Sequence, residues 1–118
     1  MGLILVTDDD NECRKIIQKA LEREGHFVES ANNVTDALNA IARKPFDLIV
    51  CDYKMPGKSA LDLLTELHER DAHVPVLIIS ACADANTEAA AMRSGAVGLL
   101  HKPFRRQDLI QSVSQVLH

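Results

Sequence analysis

Five side chains in this sequence could together do chemistry on a charged group: Asp8, Asp9, Asp52, Ser80 and Lys102. Each follows a short apolar run. Leu3-Ile4-Leu5-Val6-Thr7 leads into Asp8-Asp9-Asp10, Leu48-Ile49-Val50-Cys51 into Asp52, and Val76-Leu77-Ile78-Ile79 into Ser80. Lys102 follows the apolar residues 97–100, and Pro103 fixes the direction of the chain behind it. Apolar runs this short, closed by turn residues such as Met55-Pro56-Gly57, read as fully buried parallel strands. Asp52 is then expected just past the carboxyl end of its strand. That edge is where ligands bind in open α/β sheets. A carboxylate there can act as a nucleophile and form an aspartyl-phosphate.

Gathering three carboxylates has a cost that points to a cation. At about 5 Å and an effective dielectric near 20, each pair repels by roughly 3 kcal/mol. That is enough to move a carboxyl pKa by about two. Either some of the acids stay protonated or a cation neutralises them. Mg²⁺ suits the second case, because it takes oxygen ligands and is typically held by one or two carboxylates plus phosphate oxygens. The Lys102 ammonium could reach a phosphoryl oxygen across the same edge. Ser80 would add a hydroxyl.

The rest of the chain supplies the frame for these residues. Strands are expected over residues 3–7, 26–30, 47–51, 76–79 and 97–100. Asp9, Asp10 or Asn11 can cap a first helix, whose inward stripe reads Cys13, Ile16, Ile17, Ala20 and Leu21 up to Gly25. Val34, Ala37, Leu38, Ile41 and Ala42 mark a second helix, ending before Pro45. A third starts at Ser59 or Gly57 with Leu61, Leu64 and Leu67 inward. An alanine-rich fourth covers about 84–94. Leu109, Ile110, Val113, Val116 and Leu117 line a fifth. Strands alternating with helices imply an α/β fold: a doubly wound, five-stranded parallel sheet with helices on both faces. The flavodoxin-like order 2-1-3-4-5 fits five βα units and places Asp8, Asp9 and Asp52 in one crevice at the switch point between strands one and three.

Composition narrows the function. The 118 residues are expected to form one domain, 1–118. A formal net charge of -4 argues against a nucleic-acid surface, and Arg105-Arg106 is too short a basic run to make one. No apolar run approaches membrane-spanning length, and Asp8 to Asp10 interrupt the apolar start before it could serve as a leader. The three cysteines, Cys13, Cys51 and Cys82, show no metal or redox spacing and read as free thiols of a cytoplasmic protein. The five histidines, His26, His68, His73, His101 and His118, show no metal-ligand spacing and read as surface or loop residues. Phe104 is expected in the core below the fifth helix. Asp10 is expected to be a helix cap and nothing more.

Taken together, Asp8-Asp9, Asp52-Tyr53-Lys54-Met55-Pro56-Gly57, Ser80-Ala81 and Lys102-Pro103-Phe104 resemble the receiver domain of two-component response regulators, of the chemotaxis-regulator type. The resemblance covers essentially the whole chain. It implies that Asp52 takes a phosphoryl group from a histidine kinase or histidine phosphotransfer protein. It also implies that Asp8, Asp9, Asp52 and the Lys54 backbone carbonyl surround Mg²⁺, and that the Lys102–Pro103 bond is cis. The output surface would be helix four, strand five and helix five, acting on an output domain, a partner protein or a second copy in a phosphorylation-dependent dimer. Three positions depart from the family pattern. Leu99 replaces the usual Tyr or Phe, Thr7 an aliphatic residue, and Ala60 a frequent Gly.

Other functions fit less well. A haloacid-dehalogenase-like phosphohydrolase needs a second Asp two residues after the first, and Lys54 stands there. A flavodoxin-like electron carrier needs a Ser/Thr/Gly-rich phosphate loop after strand one, where Asp8-Asp9-Asp10 would repel the flavin phosphate. A degenerate scaffold would not need the intact acids and lysine. The reading is therefore a phosphorylation-controlled binding module that turns over no external substrate.

Overall fold

In a computed structural model, which describes residues 2–81 and 84–117, the apolar runs form strands and the amphipathic stretches form helices. The order is β1 (Leu3–Thr7), α1 (Asn11–Arg23), β2 (Phe27–Ala31), α2 (Val34–Arg43), β3 (Leu48–Asp52), α3 (Ala60–Glu69), β4 (Val76–Ser80), α4 (Ala85–Arg93), β5 (Gly98–His101) and α5 (Arg106–Leu117). All neighbouring strands pair in parallel, in the order β2-β1-β3-β4-β5. This is the doubly wound sheet expected from the alternation, with its switch point between β1 and β3.

The two-residue period of a strand divides the core into two layers. Ile4, Val6, Leu48, Val50, Leu77 and Ile79 pack with Ile17 and Leu21 of α1 and with Leu109 and Val113 of α5. Leu5, Ile49, Cys51, Val76 and Ile78 pack on the opposite face with α2, α3 and Ala91 of α4. Strands covered on both faces need apolar residues at every position, which explains why these runs do not alternate with polar residues.

The helix starts follow their capping residues. Asp10, Asn33, Ser59 and Asp84 are the N-caps of α1 to α4, and Ser59 forms a capping box with Asp62. Gly95 ends α4 at φ 106°, where a residue with a Cβ would be strained.

Three strands sit one residue later than the sequence suggests: β2, β3 and β5. The ladder decides this, because Phe27 pairs with Leu3, Asp52 with Ile79 and His101 with Ser80. Asp52 is thus the last residue of β3, not the first residue beyond it. Three helix faces also differ. Ile16 is 63% exposed, because the buried stripe of α1 runs through Ile17, Ala20 and Leu21. In α3 the buried set is Ala60, Leu63, Leu64 and Leu67, and Leu61 falls to its edge. In α2, Ala40 is buried and Ala42 exposed. Cys51 is buried and Cys13 half-buried, both as free thiols, whereas Cys82 and His118 lie outside the described residues.

Thr7 is the one misfit in β1. It is 1% exposed, and its Oγ1 has no hydrogen-bond partner among the described residues. An orphaned buried hydroxyl costs about 1–3 kcal/mol. Valine has nearly the same shape and needs no partner. Thr7→Val is expected to raise unfolding free energy by about 1 kcal/mol, read from the denaturant midpoint at unchanged slope. A lowered midpoint would show that the hydroxyl has a role in the fold.

Candidate functional site

The layering also explains how the site assembles. Continuing the alternation of β1 and β3 puts Asp8 and Asp52 on the α1–α5 side of the sheet, in step with Val6 and Val50. Lys102 lies in step with Leu100 on the same side. Its backbone N–H donates to the Ser80 carbonyl at 2.8 Å, which ties the chain after β5 to the end of β4. The Lys102–Pro103 bond is cis. The result is an ion triad at the carboxyl edge. Lys102 Nζ lies 2.9 Å from Asp52 Oδ1 and 3.6 Å from Asp8 Oδ2.

Asp8, Asp9 and Asp52 each offer a carboxylate oxygen, all within 4.8 Å of one another. Asp8 is buried, Asp52 is half-buried and Asp9 faces solvent. Asp8 Oδ1 accepts from the Asp10 N–H at 2.9 Å, whereas its buried Oδ2 has no hydrogen bond among the described residues. Asp10 is occupied in capping α1, with its side chain accepting from Glu12 and Cys13 N–H groups. It takes no part in the acid cluster. Ser80 closes β4 with its side chain buried. Tyr53 and Lys54 then lead into the Met55-Pro56-Gly57 turn, where Gly57 takes φ 84° and permits the reversal toward α3.

One ammonium cannot neutralise three carboxylates. Burial, and then the charges of Asp8 and Asp9, push the Asp52 carboxyl above the usual carboxylate range despite the bond from Lys102. Burial alone would pull Lys102 down. The hydrogen bond to Asp52 and the charges of Asp52 and Asp8 outweigh it and hold the ammonium well above its ordinary value. Cys13 lies beside this cluster, and burial followed by its contact with Asp8 pushes its thiol up to about 12, so it stays protonated and inert. Three carboxylates and one ammonium leave a net charge of minus two when all are ionised, which a divalent cation matches. The buried Oδ2 of Asp8, lacking a hydrogen bond, faces the same cluster. The residues therefore fit a hard, oxygen-seeking cation such as Mg²⁺.

The response regulator receiver domain family model matches residues 4–114. The chain belongs to the response regulator receiver family. It is 31% identical over 116 residues to the DNA-binding transcriptional regulator NtrC of Escherichia coli K12, covering 98% of this chain and 25% of NtrC. It is 36% identical over 114 residues to the transcriptional regulatory protein ZraR of Klebsiella oxytoca, covering 97% of this chain and 26% of ZraR. The chain thus spans about a quarter of the length of these curated relatives. Among solved structures, the receiver domain of the Francisella response regulator 1452 superposes with a TM-score of 0.93 at 30% identity, covering 98% of this chain and 96% of that one. This receiver is a module of two-component signalling.

The structure brings every site residue singled out in the sequence to one edge of the sheet. It also adds one that the sequence reading passed over, Arg14. Its Nη1 donates to the Asp8 carbonyl at 2.7 Å, and its second guanidinium nitrogen bonds Asn11. The available signal was spacing: Arg14 lies four residues after the Asp10 cap, so the first turn of α1 carries it back over the acid loop. The histidines stay apart. His101 pairs with Glu88 of α4 at 3.7 Å, and His26 Nδ1 accepts from the Gly2 N–H at 3.1 Å. Among the described residues neither belongs to a metal-holding group. Phe104 is half-buried against the α1–α5 layer. Leu99, opposite Ile78 in β5, is half-buried against the other layer. No helix among the described residues is long and apolar enough to cross a membrane.

Proposed function

We propose that Asp52 is the phosphoacceptor of this receiver. The observation that carries the reading is the single ammonium of Lys102, 2.9 Å from Asp52 within a cluster of three carboxylates. An Asp52 carboxylate oxygen attacks phosphorus. The bond from phosphorus to the donor's imidazole nitrogen breaks, and the imidazole leaves with the electron pair and takes up a proton. The donor is a sensor histidine kinase or a histidine phosphotransfer protein. Asp8, Asp9, Asp52 and the Lys54 backbone carbonyl would hold Mg²⁺, which would supply neutralisation of charge on the phosphoryl oxygens. Lys102 donates to one of those oxygens, and the Ser80 hydroxyl turns to meet another. The domain, residues 1–118, acts in the cytoplasm and turns over no external substrate.

The product then biases the surface made of α4, β5 and α5. Its effect falls on an output domain, a partner protein or a second copy of the chain. Ser80 and Lys102 connect the site to this surface, because they close β4 and follow β5.

The test is labelling by acetyl phosphate. Labelling is expected with Mg²⁺ and to be lost on chelation, since the uncompensated acids repel the donor by roughly 3 kcal/mol per charge pair. Undiminished labelling in EDTA would remove the cation from the mechanism.

A further inference from the structure

Asp9 is the most exposed acid of the cluster. Among the described residues its carboxylate has no hydrogen bond or ion pair to hold it. Its position is set by the backbone alone. That backbone is pinned almost entirely through Asp8. The Asp8 N–H donates to the Ala31 carbonyl at 3.1 Å, and Asp8 Oδ1 accepts from the Asp10 N–H at 2.9 Å. The Asp8 carbonyl accepts from Arg14 Nη1 at 2.7 Å. A peptide unit is planar, so the direction of the Asp8 carbonyl fixes where Asp9 begins. Arg14 is itself held, by the bond from its guanidinium to Asn11 and by its backbone N–H to the Asp10 carbonyl at 3.0 Å.

We propose that Arg14 is a positioning residue for the divalent cation: its guanidinium fixes the Asp8–Asp9 peptide and so aims the Asp9 carboxylate into the site. The inference rests on the reading that the acid cluster binds Mg²⁺. Arg14 acts against a competing effect, because its positive charge repels the cation it helps to place. The two effects predict opposite signs when the charge is removed. Loss of positioning weakens Mg²⁺ binding, and loss of repulsion tightens it. The guanidinium directs one donor to the Asp8 backbone carbonyl and another to the Asn11 side-chain oxygen. Positioning is therefore expected to win.

The test is Mg²⁺ binding without phosphorylation. Tyr53, the single tyrosine in a chain with no tryptophan, adjoins Asp52, so its emission can follow a Mg²⁺ titration. Arg14→Gln is expected to raise the Mg²⁺ dissociation constant about tenfold, the low end for partners that orient a metal ligand. Arg14→Lys, which keeps the charge and one donor, should fall between it and the wild type. An unchanged or smaller constant in Arg14→Gln overturns the proposal. So does a lowered unfolding midpoint without Mg²⁺ accompanied by an unchanged constant, which marks a merely structural role. Failure of the wild-type chain to bind Mg²⁺ overturns the inference together with the reading it rests on.

Discussion

Replacing Lys102 with alanine is expected to cut acetyl phosphate labelling by about a hundredfold or more at saturating Mg²⁺, as removal of a preorganised charge-stabilising donor does in other sites. Two losses combine. The developing phosphoryl charge loses the ammonium, which otherwise sits 2.9 Å from the nucleophile. Asp52 also loses the counterweight to burial and to the charges of Asp8 and Asp9, so its pKa is higher in the variant than in the wild type. The sign of the pH dependence follows. Asp52 attacks as the carboxylate, so labelling falls as pH drops through the Asp52 pKa, which bound Mg²⁺ lowers from its metal-free value. In the variant that fall should begin at a higher pH. Raising the pH should recover part of the lost rate, and not the part due to the missing donor. Labelling rates across pH check both claims. A variant with the wild-type rate and profile would place Lys102 outside the reaction.

Much of this arrangement was legible because it depends on patterns that local physics enforces. Strands buried on both faces must be apolar throughout, so β1, β3 and β4 were readable as unbroken runs. Turn chemistry placed the acids and the serine at the ends of those runs, and Pro103 marked the lysine behind β5. What periodicity could not supply was the terminal residue of each strand. The ladder partner decides it, and the pairing of Asp52 with Ile79 is a tertiary fact. This one-residue difference matters to the site. Inside the ladder, Asp52 is held by strand geometry, and the following Tyr53 N–H bonds the Ile79 carbonyl at 2.7 Å.

Helix faces were read less well for a related reason. Ile16 and Ile17 are neighbours on α1 and point about 100° apart, so both cannot be central to one stripe. The sheet and α5 choose Ile17, and Ile16 is left exposed, lining a surface pocket with Lys19 and Phe104. In α3, leucines at 61, 64 and 67 suggested a stripe. The buried set at 60, 63, 64 and 67 follows the i, i+3, i+4, i+7 rule more closely. Arg14 was missed because its partner is a backbone carbonyl, which carries no residue-type signal. Thr7 was legible only as a departure from an aliphatic pattern. Its missing hydrogen bond required the packed structure.

The central claim is that Asp52 alone carries the phosphoryl group. Asparagine matches the shape of aspartate and keeps a group that Lys102 can bond, but its amide is not a competent nucleophile. The ladder contact with Ile79 is a backbone pairing and does not depend on the carboxylate. Asp52→Asn is therefore expected to fold as the wild type does while losing all labelling. The most direct measurement is intact mass after incubation with acetyl phosphate and Mg²⁺. The wild-type chain should gain the mass of one phosphoryl group, and Asp52→Asn should gain none. An equal gain in the variant would contradict the account, because the phosphoryl group would then reside on Asp8, Asp9, Ser80 or another side chain.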